Sequence, residues 1–365
     1  MRLMIASACL ALCSLSISAD EYVDSVPTTG RPIEGEIQKI TFKEVTIVMP
    51  GGSGTINVSL EQINGEIVWD DTSIPPAMAN GKRDMQAGNF PNAITNFGKA
   101  LAASSTRTVL KQEIAFLLAQ CHQQAGDFPN ALAAYQKLLK DFPECFYIKK
   151  VYPALVDCAM FGGNPAQARQ IITDALGKAK DLGMTDDFVG DLKLKDGQIY
   201  EQQKNWAQAL NVYTGLQTSK IPKVMLSAYA GIGRCNLQLK EFDKARTAFN
   251  KVVNECDNSM PAILGSAYAG LGEIYWINAK DDLKQVKEAL FCFLRVVTLY
   301  LPGPTDLTDD HARSMCYAAK CFKRLADAAA GDEKEKLMQD HFRLVGRLKD
   351  NYGKDYPAYV AEAQK

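Results

Sequence analysis

Gly88-Asn89-Phe90-Pro91-Asn92-Ala93-Ile94 returns 38 residues later as Gly126-Asp127-Phe128-Pro129-Asn130-Ala131-Leu132. Looser copies follow at Asn164-Pro165-Ala166-Gln167-Ala168, Asn205-Trp206-Ala207-Gln208-Ala209 and Glu241-Phe242-Asp243-Lys244-Ala245. In each, a polar turn opens a helix whose first core-facing residue is Ala. Four residues past that alanine stands Phe97, Tyr135, Ile172, Tyr213 or Phe249, and seven past it Ala100, Leu138, Ala175, Leu216 or Val252. An i, i+4, i+7 series is one face of a helix. Twelve residues before the anchor the chain places Gly81, Ala119, Gly197 and Gly233, with Val156 breaking the series in the third unit.

A sixth unit carries Tyr268, Leu271, Gly272 and Tyr275, then an insertion, then Ala289, Phe293 and Val296. A seventh, which has lost its alanine, runs from Arg313 to about Tyr356. Self-similarity at a period of some forty residues is the mark of stacked supersecondary units. The paired helices, the small residue within the first helix, the aromatic before the turn and the anchoring alanine resemble tetratricopeptide repeats. The anchor spacings of 38, 37, 41, 36 and 44 exceed the usual period of about 34, so longer connections are expected. The expected fold class is mostly α: an α-solenoid of six to seven such hairpins over residues 74–356. One hairpin cannot cover its own apolar face, and stacking hairpins makes a continuous core bordering a groove.

Ahead of the array, residues 30–70 follow a period of two. Val45, Ile47 and Met49 alternate with polar residues, as do Ile56, Val58 and Leu60, and Gly51-Gly52-Ser53-Gly54 lies between them as a hairpin turn. Ile33, Gly35 and Ile37 precede, and Ile67 and Trp69 follow. Four or five short strands form a small β-module whose pattern resembles an SH3-like or Sm-like barrel. Residues 70–76, ending in Pro75-Pro76, read as a linker. Residues 1–19 have the layout of a signal peptide: Arg2, an apolar stretch broken only by Ser and Cys, and a small residue, Ala19, before Asp20-Glu21. The stretch is short of the ~20 apolar residues of a spanning helix. Export to the periplasm or outside the cell is the expectation, with cleavage after Ala19. Lipid attachment at Cys13 is disfavoured by the bulk of Leu12.

The 41 Lys and Arg balance 42 Asp and Glu, which argues against a nucleic-acid protein, where a basic excess or stripe is the rule. No nucleophile elbow, zinc-protease helix, phosphate loop or dinucleotide fingerprint occurs, so the chain is expected to be non-catalytic and to need no cofactor. Paired carboxylates such as Asp186-Asp187, Asp281-Asp282 and Asp309-Asp310 fall in turns or helix starts, where they suit the helix dipole. With no Cys-x-x-Cys and only His122, His311 and His341, a metal site is not expected.

In the repeat frame Cys121, Cys158, Cys235 and Cys321 share one position, on the first helix and two residues past its small residue. That position suits a buried thiol. Successive copies stand one repeat apart, beyond the ~7 Å that a disulfide bridges. Cys145, Cys256, Cys292 and Cys316 have no such constraint, and a bridge among them stays open.

The resemblance also implies where a partner would bind. In this family the first helix of each hairpin faces the groove. Eleven residues before each anchor stand Lys82, Gln120, Asp157, Gln198 and Arg234, matched by Glu273 and Lys320 in the irregular units. One turn onward lie Met85, Gln123, Met160, Glu201, Leu237, Trp276 and Lys323, with Trp276 the largest. Such a lining, amide-rich and mixed in sign, suits a protein or peptide partner, for instance in envelope assembly. It lacks the Lys/Asn clamp by which some members hold a terminal carboxylate. The alternative is a structural subunit that self-associates through the open end of the stack.

Overall fold

The computed structural model describes residues 22–103, 105–301 and 308–365. The segment 1–19, expected as a signal peptide, lies outside them. The chain divides into two compact units, 1–163 and 164–365.

The first unit opens on an antiparallel meander, β1 (Asp24–Val26), β2 (Ile33–Ile40), β3 (Glu44–Val48) and β4 (Thr55–Ser59), paired in that order. Val45 and Ile47 on β3 and Val58 on β4 are buried, as their alternation requires. On β2 the register slips between Ile37 and Lys39. That bulge changes the phase of alternation, so both Ile37 and Ile40 reach the core. Gly35 is dictated by close approach, because a Cβ there would meet the Val48 carbonyl oxygen at 2.3 Å.

Two features differ from the sequence expectation. β1 precedes the expected start of the module, and three residues are too few for an alternating pattern to show. Ile67 and Trp69 belong to no strand. Past β4 the chain runs instead along the outer edge of β1, with single bridges at Thr28↔Ile63 and Ser25↔Val68.

The stretch expected as a linker is an ordered turn. Asp70 accepts hydrogen bonds from the backbone of Val23 and Thr72. A 3-10 turn spans Asp71–Ser73, and Pro75 leads into α1 (Pro76–Gln86) with Pro76 in its first turn, where the missing N–H costs nothing. Then come α2 (Phe90–Ala102), α3 (Thr108–Gln124), α4 (Phe128–Asp141) and α5 (Ile148–Phe161). Val45, Ile47, Val58 and Trp69 share one buried cluster with Met78, Phe97, Leu110 and Ile114. β-module and first helices are therefore a single core, and the turn between them has no slack.

The second unit contains α6 (Pro165–Ala179), α7 (Asp186–Gln202), α8 (Trp206–Thr214), α9 (Pro222–Gln238), α10 (Phe242–Glu255), α11 (Pro261–Asn278), α12 (Leu283–Leu299), α13 (Asp309–Ala328), α14 (Gly331–Tyr352) and α15 (Pro357–Ala363). The turns expected before each anchor are present. Asn164 and Asn205 cap α6 and α8 by accepting from the backbone of Gln167 and Gln208. The anchors Ala168, Ala209, Ala245 and Ala289 are buried.

The small residues are explained by what sits on them. A Cβ on Gly197 or on Gly231 would lie 2.5 Å from the Tyr213 ring, so this one aromatic of α8 lodges between a glycine of α7 and a glycine of α9. Phe249 of α10 repeats the arrangement between Gly233 of α9 and Gly270 of α11. Each outer-helix ring thus pins two successive first helices together. Accordingly α7 touches α9, α9 touches α11, α11 touches α13 and α13 touches α15. These helices form the inner layer of the unit.

Candidate inner-face binding site

On the inner layer, acidic and basic side chains of consecutive helices meet. Glu201 of α7 takes a two-pronged contact from Arg234 of α9, with Nε to Oε2 at 2.9 Å and Nη2 to Oε1 at 2.8 Å. The remaining nitrogen, Nη1, donates to Ser266 Oγ of α11 at 2.9 Å. The Tyr213 hydroxyl donates to the same Glu201 at 2.5 Å. Burial disfavours the charge on Arg234, but Glu201 more than offsets it, so the guanidinium stays charged. Tyr213 is pushed well up by burial and by that carboxylate, and its hydroxyl stays protonated as a donor.

One helix further on, Glu273 of α11 pairs with Arg313 Nε of α13 at 3.0 Å. Arg313 also meets Asp310 and lies 3.9 Å from Asp309. Burial raises the pKa of Glu273 and Arg313 lowers it, while Asp310 and Asp309 add to the rise. Beyond that, Lys320 of α13 pairs with Glu362 of α15, whose carboxyl is held down to about 2 by hydrogen bonds from Lys320 and Lys365.

The lining residues read from sequence therefore divide into two kinds. Arg234, Glu273 and Lys320 are engaged with neighbouring inner helices of their own chain. Gln198 of α7 is exposed. Trp276 is half-buried, edge-on to Tyr317 at 6.0 Å, with Lys320 and Arg324 at 5.5 and 5.6 Å from its ring. In the first unit Lys82 pairs with Glu113 at 2.6 Å, and Glu113 also accepts from the Trp69 indole. Gln120 and Asp157 there are half-buried. Asp157 is near enough to Tyr135 to add to the rise that burial imposes on its hydroxyl.

Sequence reasoning did not assign Ser266, Arg313, Tyr359 or Glu362 to this face, and it read Asp309-Asp310 only as a helix start. A signal was present. Glu201, Arg234, Glu273 and Arg313 alternate in sign at roughly one-repeat steps, which is how charges must alternate when adjacent inner helices pair.

The chemistry of the face is that of a fixed ladder of ion pairs. All eight cysteines of the described residues are free thiols, and seven are buried. Burial raises Cys121 and Cys145 to about 11 and Cys158, Cys235 and Cys292 to about 12, so none is a ready nucleophile. Among the described residues no group of three or more His, Cys, Asp and Glu side chains could hold a metal ion. His122 pairs with Asp127 at 3.0 Å, and His341 meets the Ala319 carbonyl at 2.9 Å. No described helix is long and apolar enough to cross a membrane.

A tetratricopeptide repeat family model matches residues 78–144 and 194–261. No curated protein matches the chain in sequence. Among solved structures, a tetratricopeptide repeat protein from Parabacteroides merdae superposes with a TM-score of 0.53 at 15% identity, covering 80% of this chain and 100% of that one. A signal transduction ATPase with a tetratricopeptide repeat sensor, from Pyrococcus horikoshii, gives a TM-score of 0.53 at 16% identity, covering 78% of this chain and 44% of that one. At those identities the likeness is one of fold. The two matched stretches carry tetratricopeptide repeats, and the helical array, preceded by a small antiparallel β-sheet, is tetratricopeptide-like in fold.

Proposed function

We propose that the chain is an exported, non-catalytic scaffold that binds a protein or peptide partner along the inner face of its helical array. The observation that carries this reading is the layer made by α7, α9, α11 and α13. It is held in shape by its own ion pairs and still presents exposed Gln198 and half-buried Trp276. A frame fixed from within loses little entropy when a segment lies on it. Amides can donate and accept along an extended backbone, and a Trp in a half-covered setting suits an interface anchor. Envelope assembly is the process such an exported scaffold would serve.

The test is crosslinked capture from envelope extracts with three forms of the chain: native, Gln198→Arg on the inner face, and Phe342→Ala on exposed α14. Loss of the captured partner with Gln198→Arg alone supports the reading. Loss with Phe342→Ala alone overturns it. Amino-terminal sequencing of the exported protein should begin at Asp20, and a start at Met1 would remove export from the proposal.

A further inference from the structure

α15 is seven residues long, far below the ~12–15 at which an isolated helix becomes even marginally stable in water. Its helicity therefore comes from what it lies on, which is α13 of the inner layer together with α14. Tyr359 donates to Asp309 of α13 at 2.9 Å. Glu362 pairs with Lys320, the lining position expected from sequence. Tyr356, just ahead of the helix, meets the Thr308 hydroxyl at 3.0 Å and stacks on Tyr359 at 5.7 Å. Tyr356, Tyr359 and Glu362 recur every third residue and share one face. Only Ala363 of the helix is fully buried, while Pro357, Ala358 and Ala361 stay exposed.

This docking is unlike that of the other inner helices. Gly231 and Gly270 lock α9 and α11 beneath aromatic rings, and each is followed by an outer helix that covers it. Under α15 the hydrogen bond of Tyr359 and the ion pair of Glu362 stand beside apolar packing of Val360 and Ala363, and contacts of both kinds can be exchanged for similar ones from another chain. Lys320, one end of those contacts, also lies over Trp276. Whatever removes α15 thus loosens the cover of the largest inner-face aromatic.

We propose that α15 is a displaceable resident of the peptide-binding face. The site it fills, built from Asp309, Lys320 and the Trp276–Tyr317 pair, would then take a partner segment of the same chemistry: a short helix with tyrosine and glutamate three positions apart. The proposal rests on the inner-face reading above and names the class of segment that face accepts.

The full-length chain tests it twice. In native hydrogen exchange, the α15 amides should exchange well before the buried amides of α13. Exchange of both only in one global event would make α15 a permanent cap and overturn the proposal.

In the second experiment a labelled peptide of residues 354–365 is titrated into the native chain and into the full-length double variant Tyr359→Phe, Glu362→Gln. The variant's own α15 is weakened, so it should bind the peptide at least about tenfold more tightly than the native chain does. Tryptophan emission should change in step. A peptide carrying the same two substitutions should bind at least about tenfold more weakly. Equal binding by native and variant chains, or binding by neither, overturns the proposal. Should the variant lose its fold on melting, the exchange experiment decides alone. Should both experiments fail while capture still depends on Gln198, the inner-face reading stands and only the displaceable resident is lost.

Discussion

Asp24 of β1 is fully buried and receives both terminal nitrogens of Arg107, at 2.9 and 2.7 Å, from the residue that caps α3. The same carboxylate accepts from the backbone of Ile37 and Asp70, so strand, turn and helix converge on one side chain. Arg107 gives a further hydrogen bond to the Ile37 carbonyl and lies over Tyr22 and Trp69. Removing one member of a buried pair strands the other, at a cost of about 3–5 kcal/mol. Asp24→Ala should lower stability by that amount in denaturant unfolding and open residues 70–76 to protease. The native chain should resist cleavage there. Cutting of the native turn as fast as of an exposed loop would show that the turn is not held as described.

The rings lodged between glycines give a second expectation. Gly231→Ala and Gly270→Ala place a methyl group within 2.5 and 2.2 Å of ring atoms belonging to Tyr213 and Phe249. Overpacking of this kind costs about 1–3 kcal/mol. Gly98→Ala in α2, where no atom lies within 4 Å of the new carbon, should instead add about 0.5–1 kcal/mol. Thermal melting of the three variants checks the contrast. A harmless Gly231→Ala would mean that the inner helices can spread at no cost.

The array was legible because its determinants are local and recur. Ala93, Ala131 and Ala209 each follow the same turn, and periodicity multiplies a weak signal. The module's β-strands were legible from alternation, except β1, whose three residues carry none. Docking of the module onto α1–α3 was not legible, because Asp24 and Arg107 are 83 residues apart and nothing local marks either as buried. The inner face was half legible. The frame names Arg234 and Lys320, but whether a charge faces a partner or a neighbouring helix depends on distances between repeats, which no single repeat encodes.

Thiol chemistry should follow burial. Cys256 is the half-buried one of the eight, though burial raises its pKa as well. Under native conditions a thiol reagent should modify Cys256 first and reach Cys121, Cys158, Cys235 and Cys321 only when the chain unfolds. Mass spectrometry after timed alkylation measures this. Rapid labelling of Cys235 in the folded chain would place that position outside the core.

Stability should fall in mild acid through His311. Its ring is buried in α13 against Tyr352, whose hydroxyl is 2.9 Å from Nδ1. Burial lowers its pKa, outweighing the upward pull of the Val297 backbone, and Arg347 lowers it further. The folded state therefore holds the imidazole neutral while the unfolded chain takes up a proton near 6.5. The contribution is complete above that value and is lost as pH falls below it, with a slope of at most about 1.4 kcal/mol per pH unit. Unfolding curves at pH 7 and 5.5 should separate less for His311→Gln than for the native chain. Identical separations would assign the acid sensitivity to other groups.

Arg234 is where the sequence and the structure suggest different experiments. As a lining residue its removal would weaken a partner and leave folding alone. In the structure all three guanidinium nitrogens are committed to Glu201 and Ser266. Arg234→Ala leaves the largely buried Glu201 carboxylate with Tyr213 as its one remaining hydrogen-bond partner among the described residues. Loss of one partner of such a pair costs about 3–5 kcal/mol when both are fully buried and less here, because a quarter of the Arg234 side chain remains exposed. The double variant Arg234→Met, Glu201→Gln removes both charges and should recover part of that loss. Denaturant unfolding of the single and double variants reads the coupling directly. A full-strength melting transition in Arg234→Ala would show the ladder to be incidental, and Arg234 would return to being a contact for the partner.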